Sequence, residues 1–153
     1  MNKQFNINRT TTANADFIQL VDKLDDELWN ELNEDQSTYD QYNKVPDIKT
    51  AIIIYDDDKP VAVGCFKAYN NDTVEIKRMY VDKTYRGKGI SKMVLHELEK
   101  WAIENGFKYS ILETSVHFNV AQSLYSQAGY IIIPNYGQYD GLEESVCMKK
   151  KLV

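Results

Sequence analysis

Histidine and cysteine are scarce. His96 and His117 are the only histidines, and Cys65 and Cys147 the only cysteines, in 153 residues. Two histidines cannot supply a multi-histidine metal centre. The cysteines stand far apart and have no partner histidine at zinc spacing, so no metal site is expected. Both lie in strand-like runs, which reads as buried free thiols in a reducing compartment. No apolar run approaches the ~20 residues of a membrane span, so no membrane partner is expected. Met1-Asn2-Lys3-Gln4-Phe5 lacks the apolar core of a secretion signal, which points to the cytoplasm. An excess of basic charge is missing too. The 18 Lys and Arg face 23 Asp and Glu, a formal net charge of −5, which argues against nucleic acid as a partner. No repeat or low-complexity linker divides the chain. Its length suits one domain, residues 1–153, which buries roughly 70% of its unfolded surface without staples.

What is present is periodicity. Phe17, Leu20, Val21, Leu24, Leu28 and Leu32 recur at helical spacing and predict an amphipathic helix over 14–33. A polar stretch with Tyr39, Tyr42 and Asn43 ends at Pro46. Thr50 to Tyr55 is a β-branched strand, Asp56-Asp57-Asp58-Lys59-Pro60 a turn, and Val61 to Tyr69 the returning strand. Asn70-Asn71-Asp72 turns again, and Thr73 to Asp82 completes a meander. Val94, Leu95, Leu98, Trp101 and Ala102 place a helix at about 89–105, stopped by Gly106. Tyr109 to Ser115 is a strand, 119–128 a helix stopped by Gly129, 130–133 a short strand cut by Pro134, and 144–152 the last strand. An antiparallel meander followed by β-α-β gives an α/β fold with a mixed sheet. Strands 74–81 and 109–115 should lie side by side and parallel, because a helical crossover joins them.

The most informative local pattern is Tyr85-Arg86-Gly87-Lys88-Gly89-Ile90-Ser91, between a strand and a helix start. The first turn of a helix leaves backbone N–H groups unpaired and carries partial positive charge. Gly87 and Gly89 let the backbone approach a ligand closely, and Arg86 and Lys88 add full charges. Such a turn suits a pyrophosphate. It lacks the G-x-x-x-x-G-K-[ST] of a Walker loop, and Lys92 occupies the third glycine position of a dinucleotide fingerprint. An ordinary strand–turn–helix connection with solvated basic residues is the alternative.

The segment resembles the GNAT superfamily of acetyl-CoA-dependent N-acetyltransferases, whose [QR]-x-x-G-x-[GA] pattern reads here as Arg86, Gly89 and Ser91. Ser91 departs from Gly or Ala but remains small. Downstream, Ala121-Gln122-Ser123-Leu124-Tyr125-Ser126-Gln127-Ala128-Gly129-Tyr130 resembles the family's late helix, A-x-x-L-Y-x-x-x-G-[FY]. Phe118 stands where an asparagine often opens that helix, and Asn119 follows it. The resemblance covers Ile52 to Val153. Leu24-Asp25-Asp26-Glu27-Leu28, Glu75 to Val81 and Pro134 to Tyr139 further resemble a bacterial GNAT subgroup without an assigned acceptor.

The resemblance implies acetyl-CoA as co-substrate and a GNAT-like sheet with a splayed coenzyme cleft. Arg86, Gly87, Lys88, Gly89, Ile90 and Ser91 would hold the pyrophosphate, and Asn119 would contact the coenzyme. The backbone of Met79, Tyr80 and Val81 would pair with the pantetheine arm. Strand 130–133, bracketed by Gly129 and Pro134, would not pair fully with 109–115. Alternation along strand 74–81 would set Glu75, Lys77, Met79 and Val81 on one face. Acyl transfer to an amine needs a base for the ammonium and an acid for the leaving thiolate. Glu75 matches the position of the base in some GNAT enzymes, with an ion pair to Lys77, Arg78 or a cross-strand lysine as the alternative. Tyr125 matches the acid, since a phenol and a thiol have similar pKa values, with a core aromatic as the alternative. Tyr125 and Leu124 cannot face the same way. A nucleophilic cysteine is not needed, and His117 reads as a surface residue.

Trp29, Tyr39, Tyr42, Tyr136 and Tyr139 form an aromatic set for the acceptor side, and Glu27, Glu31 or Asp40 are candidates to attract an ammonium. The loop Tyr136 to Gly141 suits a cover for an acceptor pocket. The tyrosines packing against the sheet edge are the alternative. The expected reaction is direct acetyl transfer to a primary amine of a small molecule. Acetylation of a protein N-terminus or lysine, and a non-catalytic acyl-CoA-sensing module, are the competing readings. Assembly as a homodimer is left open.

Overall fold

The apolar stripe of residues 14–33 builds the first helix, and Asn14 starts it. In the computed structural model, which describes residues 4–32 and 47–153 (of 31 and 32 the backbone alone), α1 spans Ala15–Leu32. The Asn14 side-chain oxygen accepts from the Asp16 N–H at 2.8 Å and the Phe17 N–H at 3.4 Å. That pairs two of the donors that a helix start leaves open. Among the described residues the other α-helices are α2, Ile90–Glu104, and α3, Asn119–Gln127. The strands are β1 (Asn6–Thr10), β2 (Ala51–Asp56), β3 (Lys59–Ala68), β4 (Thr73–Val81), β5 (Tyr109–Ser115), β6 (Ile131–Ile133) and β7 (Ser145–Lys151). They hydrogen-bond in the order β1-β2-β3-β4-β5-β7-β6. Among the described residues, no helix is long and apolar enough to cross a membrane.

The described residues fall into two compact units. The first comprises those up to Phe66 together with Lys77–Leu98. Here β1 pairs antiparallel with β2, from Asn6↔Tyr55 to Thr10↔Ala51, and β2 with β3, from Ala51↔Cys65 to Asp56↔Lys59. The loop between β2 and β3 is the pair Asp57-Asp58, with Asp57 left-handed at φ 53°, a conformation aspartate tolerates better than most residues. Pro60 was expected in the turn. It lies in β3 opposite Tyr55, where the register shifts, as a residue without an N–H requires. Phe17 and Leu20 of α1 pack with Ile48, Ala51, Ile53, Val63, Cys65 and Tyr80. The helical spacing seen in the sequence thus delivers its apolar stripe to the sheet.

The second unit comprises Lys67–Ile76 and Glu99–Val153. Thr73–Glu75 of β4 pair in parallel with Tyr109–Ile111 of β5, as a helical crossover demands. β5 pairs antiparallel with β7 over its whole length, from Tyr109↔Lys151 to Ser115↔Ser145. β6 pairs antiparallel with β7, from Ile131↔Lys149 to Ile133↔Cys147, and with no other strand among the described residues. Strand 130–133 was expected not to pair fully with 109–115; the last strand inserts between them. β1 was also unforeseen, because Asn6–Thr10 (NINRT) is polar and almost wholly exposed. A polar network holds α2 to this sheet. The buried Tyr130 hydroxyl lies 2.9 Å from a Glu99 oxygen and 2.8 Å from the Ser110 hydroxyl, and Lys150 pairs with Glu99 at 2.9 Å.

Candidate active site

The basic turn is built in the first unit. β4 ends at Val81, and Asp82 caps a single turn of 3-10 helix, Lys83–Tyr85. Its carboxylate accepts from the Thr84 N–H at 3.1 Å and hydroxyl at 3.0 Å, and pairs with Lys23 at 3.2 Å. Burial works to raise the Asp82 carboxyl, but these bonds carry it below its usual value. Gly87 and Gly89 follow with φ of +78° and +79°, and a Cβ on either would meet nothing within 4 Å. Their role is therefore conformational, and they leave the outer side of the turn open. Ile90 is buried and pins the start of α2. The first-turn N–H groups of α2 have no partner within the helix.

Arg86 is more committed than its sequence suggests. Its Nη2 pairs with Glu27 of α1 at 2.8 Å, its Nε donates to the Val81 carbonyl at 2.9 Å, and its guanidinium lies 5.4 Å from the Tyr80 ring centre. Glu27, an acceptor candidate in the sequence, is thus the partner of Arg86. Lys88 is exposed.

Arg78 interrupts the alternation of β4. It is left-handed at φ 60°, with its side chain buried and paired to Asp25. Extended alternation does not pass through such a residue, so Glu75, Lys77, Met79 and Val81 do not form the single face expected. Tyr80 joins the cluster around Phe17. Met79 packs by Gly64: a Cβ there would come within 2.8 Å of the Met79 sulfur and 2.7 Å of Val94 Cγ1. Val81 is buried and contributes its carbonyl to Arg86. A shallow groove of 380 Å³ at the β1–β2 edge, lined by Asn6, Ile7, Asn8, Tyr55, Asp57 and Asp58, holds none of the candidate residues.

The second unit holds the candidate acid and base, Tyr125 and Glu75. Glu75 is 2% exposed. Its Oε2 accepts from the Tyr136 hydroxyl at 2.7 Å, and its Oε1 lies 3.7 Å from Lys67 Nζ. The cross-strand lysine is therefore present, and so is a tyrosine from the Tyr136–Gly141 loop. Tyr136 meets Tyr69 edge-to-face at 5.3 Å and Tyr139 at 5.5 Å. Burial, then the Glu75 charge, pushes the Tyr136 phenol up. Tyr139 is 1% exposed and so belongs to the core. Glu113 stands near, accepting from Ser145 at 2.7 Å.

Tyr125 is the inward-facing member of its pair with Leu124, which is half-buried. Its ring meets Tyr130 edge-to-face at 5.8 Å. Burial, and after it the Glu113 charge, pushes its phenol up, away from the thiol value assumed in the sequence reading. Asn119 opens α3 and is exposed. Cys65 and Cys147 are buried free thiols, and burial pushes Cys147 up to about 11, which makes it a poor nucleophile. His117 is exposed beside Glu144 at 3.4 Å. Trp29 is exposed on α1. Tyr39, Asp40 and Tyr42 lie outside the described residues, as does the Glu31 side chain. Among the described residues, no cluster of three metal-ligating side chains occurs.

The sequence reading missed Lys67, Tyr69 and Glu113. The model of the acetyltransferase (GNAT) family matches residues 15–130. The chain belongs to the GNAT acetyltransferase family. It is 29% identical over 100 residues to the N-acetylaspartate synthetase of Homo sapiens, an alignment covering 65% of this chain and 33% of the synthetase. The chain thus spans about a third of that relative's length. Among solved structures, a Klebsiella pneumoniae protein of the acyl-CoA N-acyltransferase class superposes with TM-score 0.82 at 25% identity, covering 99% of this chain and 100% of that one. A streptothricin acetyltransferase of Bacillus anthracis, solved with acetyl coenzyme A, superposes with TM-score 0.60 at 23% identity over 74% of this chain and 67% of its own. That second likeness is one of GNAT fold.

Proposed function

We propose that this GNAT chain moves the acetyl group of acetyl-CoA directly to the primary amine of a small molecule. One observation carries the reading. The buried Glu75 carboxylate is held from one side by Tyr136 at 2.7 Å and has an alkylammonium, Lys67, 3.7 Å from its other oxygen. A carboxylate so placed can take an acceptor ammonium in exchange for Lys67. The left-handed glycines 87 and 89 and the open amides at the start of α2 support pyrophosphate binding by the turn 86–91. The GNAT match supports acetyl-CoA as the donor, with the Met79–Val81 backbone along its pantetheine arm and Asn119 as a further contact. The similarity to a synthetase named for a small N-acetylated product supports a small acceptor.

In this mechanism Glu75 takes a proton from the acceptor ammonium, directly or through water. The freed amine attacks the thioester carbonyl, the C–N bond forms, the C–S bond breaks, and the second proton of the nitrogen passes through water to the leaving thiolate. Tyr125 donates its phenolic hydrogen toward the leaving sulfur. A phenol is protonated at neutral pH, and burial pushes its ionisation further up. A panel of amines with acetyl-CoA, read by release of free thiol, tests the proposal. Thiol release that depends on one small amine, and falls in Glu75→Gln, is expected. Acetyl-CoA that binds by calorimetry but yields no thiol with any small amine would overturn it.

A further inference from the structure

Lys67 raises a question that the proposed reaction does not answer. A cation beside the catalytic base repels the ammonium the base must receive. Lys67 Nζ lies 3.7 Å from Glu75 Oε1, and the Lys67 side chain is 44% exposed while that of Glu75 is 3% exposed. The ammonium end of Lys67 is therefore reachable, and the carboxylate is not open to bulk water. Tyr136 occupies the other carboxylate oxygen at 2.7 Å. A plain alkylammonium that takes Glu75 must displace Lys67 and leaves the Lys67 ammonium without its carboxylate. A zwitterion makes good that loss. Its ammonium can take Glu75 while its carboxylate takes Lys67, so two ion pairs replace one.

We infer that the acceptor carries a carboxylate a few bonds from the reacting amine, an α-amino acid being the simplest such molecule, and that Lys67 binds this carboxylate. The inference rests on the reading of Glu75 as the ammonium-facing group. The surroundings fit an amino acid in chemistry. Tyr69, 44% exposed, and Tyr136 meet edge-to-face at 5.3 Å and offer an aromatic wall for a side chain. The other carboxylate of the cluster, Glu113, accepts from Ser145 at 2.7 Å. Lys67 carries the charge that marks the incoming carboxylate. It is a specificity residue, and the chemistry stays with Glu75.

The test uses matched acceptors: an α-amino acid, its methyl ester and its decarboxylated amine, each with acetyl-CoA and thiol release as readout. It compares the natural chain with Lys67→Met, which keeps the stem, and Lys67→Arg, which keeps the charge. Acetyl-CoA calorimetry and circular dichroism on each variant confirm folding. The natural chain should favour the amino acid over the amine in kcat/KM by roughly tenfold to a hundredfold, the range of a charge-assisted hydrogen bond. Lys67→Met should bring that ratio toward one through KM, as lost binding does. Lys67→Arg should preserve most of it. If the amine and ester are acetylated as well as the amino acid, or if Lys67→Met keeps the preference, the inference is overturned and the transferase reading stands. If no member of the panel releases thiol, both fall together.

Discussion

Replacing Gly89 by glutamate isolates the anion site from the fold around it. Gly89 has φ +79°, and a Cβ there meets nothing within 4 Å. The protein itself therefore opposes the change only through backbone strain, about 1–2 kcal/mol for a left-handed L-residue. In a chain of this size that lowers Tm by roughly 2–8 °C. Gly87, at φ +78° and equally open, carries the same strain, so Gly87→Ala and Gly89→Ala measure it without added charge. The glutamate then sets a carboxylate beside the bound pyrophosphate. Like charges about 4 Å apart repel by about 1 kcal/mol in water and about 4 kcal/mol at the effective dielectric of a protein surface. Acetyl-CoA affinity should fall by roughly fivefold to a thousandfold beyond the alanine variant. Calorimetry reads the affinity and circular dichroism the fold. Gly89→Lys has the same strain and the opposite charge, and should bind more tightly than Gly89→Glu. If a folded Gly89→Glu binds acetyl-CoA as tightly as Gly89→Ala, the pyrophosphate does not sit at this turn.

Tyr125→Phe should lower kcat with little change in KM for acetyl-CoA; acid catalysis is typically worth about 10²–10⁴-fold, and a loss under roughly threefold would leave Tyr125 a packing residue. Glu75→Gln should reduce turnover, leave acetyl-CoA affinity intact and shift the acid limb of the pH–rate profile; a fall in thermal stability alone would make the pair with Lys67 structural. Gly64→Ala forces a Cβ to 2.7 Å from Val94 Cγ1, so it should cost about 1–3 kcal/mol by overpacking, and an unchanged thermal melt would contradict that packing. Burial raises the folded-state Cys147 thiol from 9.0 to about 11, so its contribution is complete below pH 9 and is lost as pH rises through the folded value. Urea titrations across pH 8–11 should show stability falling over that window, and Cys147→Ala should flatten the slope.

The elements that were legible carry their signal locally. The stripe from Phe17 to Leu32 and the β-branched run into Tyr55 each name their own conformation, and the ends of every expected element agree with the structure to within two residues. Sheet order is not local. Nothing within 144–152 says that β7 enters between β5 and β6, and nothing in a polar NINRT marks a strand until β2 is beside it. The left-handed Arg78 is hidden for the same reason, since its conformation is set by burial against α1 and the bond to Asp25 rather than by residue type. Lys67 was within reach. The turn at Asn70-Asn71-Asp72 closes with a bond from the Tyr69 N–H to the Thr73 carbonyl at 2.8 Å. Stepping outward equally along both strands from that bond sets Lys67 opposite Glu75. Tyr136 could not be found this way, because its bond to Glu75 joins residues far apart in sequence.

The environment of Tyr125 changes what its hydroxyl can do. An isolated phenol and a thiol exchange a proton at nearly equal cost. Inside the fold, burial and the Glu113 charge both oppose a tyrosinate at this position. Complete transfer of the proton to sulfur would leave that anion in a dry place beside a carboxylate. In the proposed reaction partial donation avoids it: the O–H would shorten a bond to the sulfur as charge builds there and relax when the thiol takes a proton from water or from the acceptor. Removing one such donor typically costs about 10²–10³ in kcat, which overlaps the range for acid catalysis, so the size of the Tyr125→Phe defect does not separate the two. Solvent deuterium does. A phenol that transfers its proton to sulfur in the slow step gives a kcat that falls in D2O and loses that sensitivity in Tyr125→Phe, whereas a phenol that keeps its proton leaves the D2O effect unchanged by the substitution.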